Sequence, residues 1–144
     1  MQRILLPLVL ALVFALALPA HAAAATRGYS GGLEPSGELS FDLKHKRGVK
    51  TVKDFAFAAV PVDCAEGTST TSGHLTFGMR LEGKEFGTRA DDGQGSRLRV
   101  SGKLKQRGKR AEGKLRIHGE VPTEDGARGT SCDTGALLWD AARD

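Results

Sequence analysis

Nineteen glycines, all beyond residue 27, cut this chain into short stretches in which apolar residues fall at every second position. Successive side chains of a strand point to opposite faces, so a two-residue apolar period marks a half-buried strand. Glycine beside a charged or small residue marks a turn, as at Arg47-Gly48, Glu82-Gly83, Asp92-Gly93, Arg107-Gly108 and Asp125-Gly126. Leu39, Phe41 and Leu43 alternate with Glu38, Ser40, Asp42 and Lys44, and Leu75, Phe77, Met79 and Leu81 alternate with Thr76 and Arg80. Phe55 and Phe57 continue the pattern, and the phase then shifts to Val60, Val62 and Cys64, which predicts a bulge near Ala58-Ala59. Pro61, with no N–H to donate, predicts an edge there. Leu98, Val100 and Leu104 form another set, Leu115 and Ile117 the next, and Ala136 to Trp139 reads as a strand covered on both faces. Ala65 to Ser72, small and polar, reads as a mobile loop, as does Asp91 to Ser96. Every candidate helical window after residue 26 is interrupted by glycine or β-favouring residues. The expected fold is all-β, an antiparallel meander of about eight short strands closing as a sandwich or a small barrel, and the alternation leaves both closures open.

The first 25 residues are unlike the rest. Arg3 gives a positive start, Ile4 to Leu18 is apolar apart from Pro7, and Pro19 precedes small residues, which is the layout of a secretory signal peptide. Cleavage is expected within residues 22–25. The apolar run is about 15 residues, short of the roughly 20 that span a bilayer. No second run of that length follows, so no transmembrane span is expected. Residues 1–25 are thus read as a signal peptide and 26–144 as a single all-β domain that is secreted, extracellular or attached to the cell envelope. In that domain Leu, Ile, Val and Phe make up only about 18% of residues, a thin core. Export places Cys64 and Cys132, the only two cysteines, in an oxidising compartment, and a disulfide between them is expected. It closes a loop of about 68 residues. The chain lacks asparagine, which excludes N-linked glycosylation.

The order Gly28-Tyr29-Ser30-Gly31, Leu39-Ser40-Phe41, Val52 with Phe55 and Phe57, Cys64, and Cys132-Asp133-Thr134-Gly135 ahead of Trp139 resembles uncharacterised small secreted all-β proteins of actinobacteria and their relatives. The resemblance implies export and a β fold. It carries over no catalytic or binding residue.

Charge is segregated. Between Arg97 and Arg116 nine cations stand against a single acid, Glu112, while the whole chain carries a net charge of only +4. Arg97, Arg99, Lys103 and Lys105 occupy alternate positions of one predicted strand, and after the turn at Gly108, Lys114 and Arg116 do so on the next. A hairpin of the two presents a cationic strip backed by core, a surface that attracts polyanions. Arg97, Arg99, Lys103, Lys105, Lys114 and Arg116 are the candidate binding residues. No aromatic side chain is interleaved on the polar face, so specific nucleic acid recognition by base stacking is not expected. Anionic envelope polymers or lipid headgroups are the expected partners. The plainer reading is that the cations keep the sheet soluble and discourage edge pairing, which would make this a structural or accessory protein.

Catalytic and metal signals are weak. His45, His74 and His118 share no metal-ligand spacing, so neither a metal nor a cofactor is implied. Ser72 near His74 lacks an orienting acid in sequence. Asp63, Glu66 and Asp133 flank the two cysteines and would be gathered by the bridge, which leaves a secreted hydrolase as a third reading. Trp139 and Tyr29 are read as core.

Overall fold

Each alternating stretch becomes a strand because only the pleated backbone puts its apolar residues on one side and its charged residues on the other. The computed structural model describes residues 24–144. The strands are β1 (Ala25–Leu33), β2 (Glu38–Lys46), β3 (Val49–Cys64), β4 (Gly67–His74), β5 (Met79–Arg80), β6 (Glu85–Asp91), β7 (Ser96–Lys105), β8 (Arg110–Pro122), β9 (Arg128–Asp133) and β10 (Leu137–Arg143). All pairings are antiparallel. β4 and β5 lie end to end along the edge of β3 opposite β2. β9 and β10 likewise share the edge of β8 opposite β7. The ten segments therefore act as eight staves in simple meander order. A bridge between Glu82 and Glu85 joins β5 to β6, and β10 returns to β1 from Leu33–Trp139 to Tyr29–Arg143. The circuit closes on itself, so the fold is a barrel rather than two stacked sheets. The proposed signal peptide falls outside the described residues except for its last two positions. Among the described residues no helix is long and apolar enough to cross a membrane.

β3 is long enough to leave the circuit and pinch one end. The register shifts between Phe57 and Val60, with Ala59 in left-handed backbone (φ 53°), so the bulge falls where the phase shift puts it. Past Ala58, β3 outruns β2, and its freed edge, which carries Pro61, meets β9 at Asp63–Asp133. The Cys64–Cys132 disulfide forms there, across strands separated by 68 residues of sequence.

The interior is filled by one aromatic cluster. Tyr29 stacks on Phe41 at 4.8 Å between ring centres, and Trp139 meets Phe41, Phe55 and Phe86 at 6.0, 6.2 and 6.1 Å. The indole fits because the strands facing it carry glycine. A Cβ on Gly113 would stand 2.5 Å from the Trp139 ring, and one on Gly102 2.7 Å.

Three local expectations are corrected. The stretch 67–74 is strand β4 rather than a mobile loop. Its threonines are β-branched, and Thr71 is buried with its hydroxyl donated to the Pro122 carbonyl at 2.7 Å. Phe77 is not inward. β4 ends at His74 and pairing resumes at Met79, so the break turns Phe77 outward at 45% exposure while Leu75, Met79 and Leu81 stay buried. β10 is not covered on both faces, since Leu137, Trp139 and Ala141 point in while Leu138 is 52% exposed.

Candidate anion-binding face

The turn at Gly108 closes β7 onto β8 with Lys105 opposite Arg110, and that register fixes every row of the face. Outward positions of β7 are Arg97, Arg99, Ser101, Lys103 and Lys105. All are exposed, as are Lys114 and Arg116 on β8, while His118 is half-buried. The six candidate residues thus share one outer surface, extended by β6 on the far side of β7.

Read across the strands, the rows differ in charge. Arg89, Arg99 and Arg116 stand directly opposite one another on β6, β7 and β8. One row toward the hairpin turn come Gly87, Ser101 and Lys114, and beyond them Glu85, Lys103 and Glu112. On the other side of the arginines lie Asp91, Arg97, His118 and, on β9, Asp133.

Most of the strip is neutralised. Arg97 lies 3.8 Å from Asp91, Lys103 3.7 Å from Glu85, and Lys105 2.9 Å from Glu112. Arg116 grips Asp133 with two bonds, Nε at 3.0 Å and Nη2 at 2.5 Å. Of the six, Arg99 and Lys114 alone enter none of the ion pairs among the described residues, and the same holds for Arg89. The sequence reading missed Arg89. Its strand has one large inward residue, Phe86, so the alternation that exposed the other strands was faint; the signal was Glu85, Gly87, Arg89 and Asp91 outward against Phe86, Thr88 and Ala90.

The face is hollowed where the short Ser101 lies amid long side chains. A depression of about 640 Å³ is lined by Glu85, Arg99, Ser101, Lys103, Glu112, Lys114 and Arg116 among others. A second, about 490 Å³, is bounded by Arg89, Arg97, Arg99, Arg116 and His118. The His118 Nδ1 is buried there without a hydrogen-bond partner.

The acids near the disulfide are engaged separately. Asp63 accepts from the Thr68 hydroxyl at 2.9 Å, Glu66 from the Thr130 hydroxyl at 2.6 Å, and Asp133 from Arg116. Ser72 donates to Glu124 at 2.6 Å, and His74 Nε2 lies 3.7 Å from Asp54, so that serine and histidine each face a different carboxylate. Among the described residues no group of three His, Cys, Asp or Glu is placed to hold a metal.

Two carboxylates tie the outer surface together. The Arg116 guanidinium holds Asp133 below its usual range, and Arg128, which also donates to the Gln94 and Glu120 carbonyls, does the same to Asp92. A carboxylate with a depressed folded pKa adds stability above its unfolded value near 3.9 and loses it as pH falls through the folded value. Denaturation midpoints of the wild-type protein and Asp133→Asn should therefore differ near neutral pH and converge as pH falls below the ordinary carboxylate value, in proportion to how completely Asp133 is protonated. A gap that stays constant across the titration would show that the Asp133 charge is not what Arg116 stabilises.

The chain matches no protein-family model, and neither curated proteins nor solved structures show significant similarity to it.

Proposed function

We propose that this is an exported, non-enzymatic binding module, secreted or retained at the cell envelope, that engages anionic polymers or lipid headgroups through the outer face of β6, β7 and β8. The observation that carries this reading is the row Arg89, Arg99, Arg116. Like charges directly opposite on neighbouring strands destabilise a sheet, yet of the three only Arg116 has a carboxylate. A surface selected only for solubility would place acids there, as it does in the Asp91–Arg97–His118–Asp133 row on one side and in the Glu85–Lys103–Glu112 row two rows away on the other. Export accords with the disulfide, which persists in oxidising compartments.

Binding to a heparin-like polyanion and to isolated cell envelopes across a salt series tests it. The wild-type protein is expected to lose affinity steeply as salt rises, by counterion release. Arg99→Glu with Lys114→Glu should weaken binding by at least about tenfold at low salt while the protein stays folded. Affinity that ignores both salt and charge reversal would sink the proposal.

One observation favours the accessory reading instead. Among the described residues β6 pairs, beyond the Glu82–Glu85 bridge, with β7 alone, and charge on a strand with such an edge discourages pairing with another chain. If charge reversal changes only solubility, that reading takes over.

A further inference from the structure

The layout of charges on this face specifies what kind of anion fits, an inference that rests on the binding role just proposed. We propose that the recognised unit is a compact phosphate-type monoester seated against Ser101 between Arg99 and Lys114, with Arg89 one row away on β6, and not a polymer laid along the strands.

The carboxylates set the limits. A polymer following β7 would pass Arg97 beside Asp91, then Arg99 and Ser101, then Lys103 between Glu85 and Glu112. Both ends of that path are lined with acid. At about 3.3 Å per residue the two acidic rows lie roughly 20 Å apart, and the uncompensated zone between them is only two rows deep, about 7 Å. Across the three strands it is about 10 Å wide at roughly 4.8 Å per strand. Those dimensions suit one tetrahedral oxyanion rather than an extended chain.

The floor of the zone is bare. Gly87 and Ser101 are its only short outward residues, and Gly87 stays bare because a Cβ there would approach the Val100 carbonyl to 2.9 Å. An anion can descend between the long cations to the Ser101 hydroxyl, a donor to phosphate oxygen. Arg89, Arg99 and Lys114 add three positive charges that enter no ion pair among the described residues, and the carboxylates on the rim, Glu85 and Glu112, are held by Lys103 and Lys105. A dianion answers that excess better than a single carboxylate, and guanidinium forks match phosphate oxygens in pairs.

Titration calorimetry on the oxidised protein at constant ionic strength, near neutral pH, tests the idea with inorganic phosphate against acetate. The same protein is then mixed with phosphatidylcholine vesicles carrying either phosphatidic acid, a monoester, or phosphatidylglycerol, a diester. Saturable one-to-one binding is expected for the monoester chemistry, at least about tenfold tighter than for acetate or the diester. Binding of free phosphate places the natural group in solution, and binding only of phosphatidic acid places it on a lipid. Ser101→Leu fills the notch at an exposed strand position and keeps every cation. It should cost at least about tenfold in monoester binding while salt-sensitive polyanion binding persists. If polyanions bind and monoesters do not, or if Ser101→Leu binds phosphate like the wild type, this inference is overturned and the broader role stands. If polyanions and monoesters both fail to bind, the broader role falls too.

Discussion

Replacing both cysteines, Cys64→Ala with Cys132→Ala, is expected to lower the free energy of unfolding by about 4 kcal/mol, read as a fall in the urea midpoint. The size follows from the bridge joining residues 68 apart, so that its removal frees a loop of nearly half the chain in the unfolded state. A domain of this size holds roughly 5–15 kcal/mol in all, and this one draws on a thin apolar core. The bridge also does local work at the pinched end of the barrel. Among the described residues β3 and β9 share one ladder pair, Asp63–Asp133, extended only by the Ala65–Thr130 backbone bond and the Thr130–Glu66 bonds, without a long ladder to hold them. Gly129 packs directly on the two sulfurs, where a Cβ would sit 2.5 Å from Cys132 Sγ. A loss of less than about 1 kcal/mol would mean that the hydrogen bonds around Glu66 and Thr130 hold that end without the covalent link.

Trp139→Ala is expected to cost about 3–5 kcal/mol, at the upper end for a buried aromatic. The indole is 2% exposed and touches three other rings, and the residues beneath it, Gly102 and Gly113, have no side chains to move into the space. Backbones in a closed hydrogen-bonded circuit cannot collapse inward singly, so most of the cavity would remain. Trp139→Phe is the informative control. The indole Nε1 has no acceptor, so its loss removes no hydrogen bond, and the smaller ring should recover more than half of the stability lost to alanine. Equal losses for Phe and Ala would show that indole shape alone, rather than aromatic bulk, fixes the core.

The face that carries the proposed function was half legible. Arg97, Arg99, Lys103, Lys105, Lys114 and Arg116 could be placed on one side of two strands because side-chain period is a local property of extended backbone. Which of them keep free charge was not legible, because the answer depends on residues from elsewhere in the chain. Asp91 and Glu85 reach the strip from β6 and Asp133 from β9, and they neutralise Arg97, Lys103 and Arg116. Arg89 joins it by the same route. Cross-strand register is set over the whole sheet, and a one-residue slip would have turned each of these side chains inward.

The same division runs through the fold. Alternation in Leu39–Leu43, the phase shift before Val60 and the single pair of cysteines determined an all-β chain with a bulge and one staple, because each is written in neighbouring residues or by counting. The breaks that shorten β5 and separate β9 from β10, the exposure of Phe77 and Leu138, and the choice of barrel over sandwich were decided by the tertiary structure. Sandwich and barrel have the same alternation. What separates them is whether the last strand finds the first, and the tertiary structure decides it by pairing β10 with β1 on one side and β8 on the other, with Trp139 packed over Gly102 and Gly113 beneath.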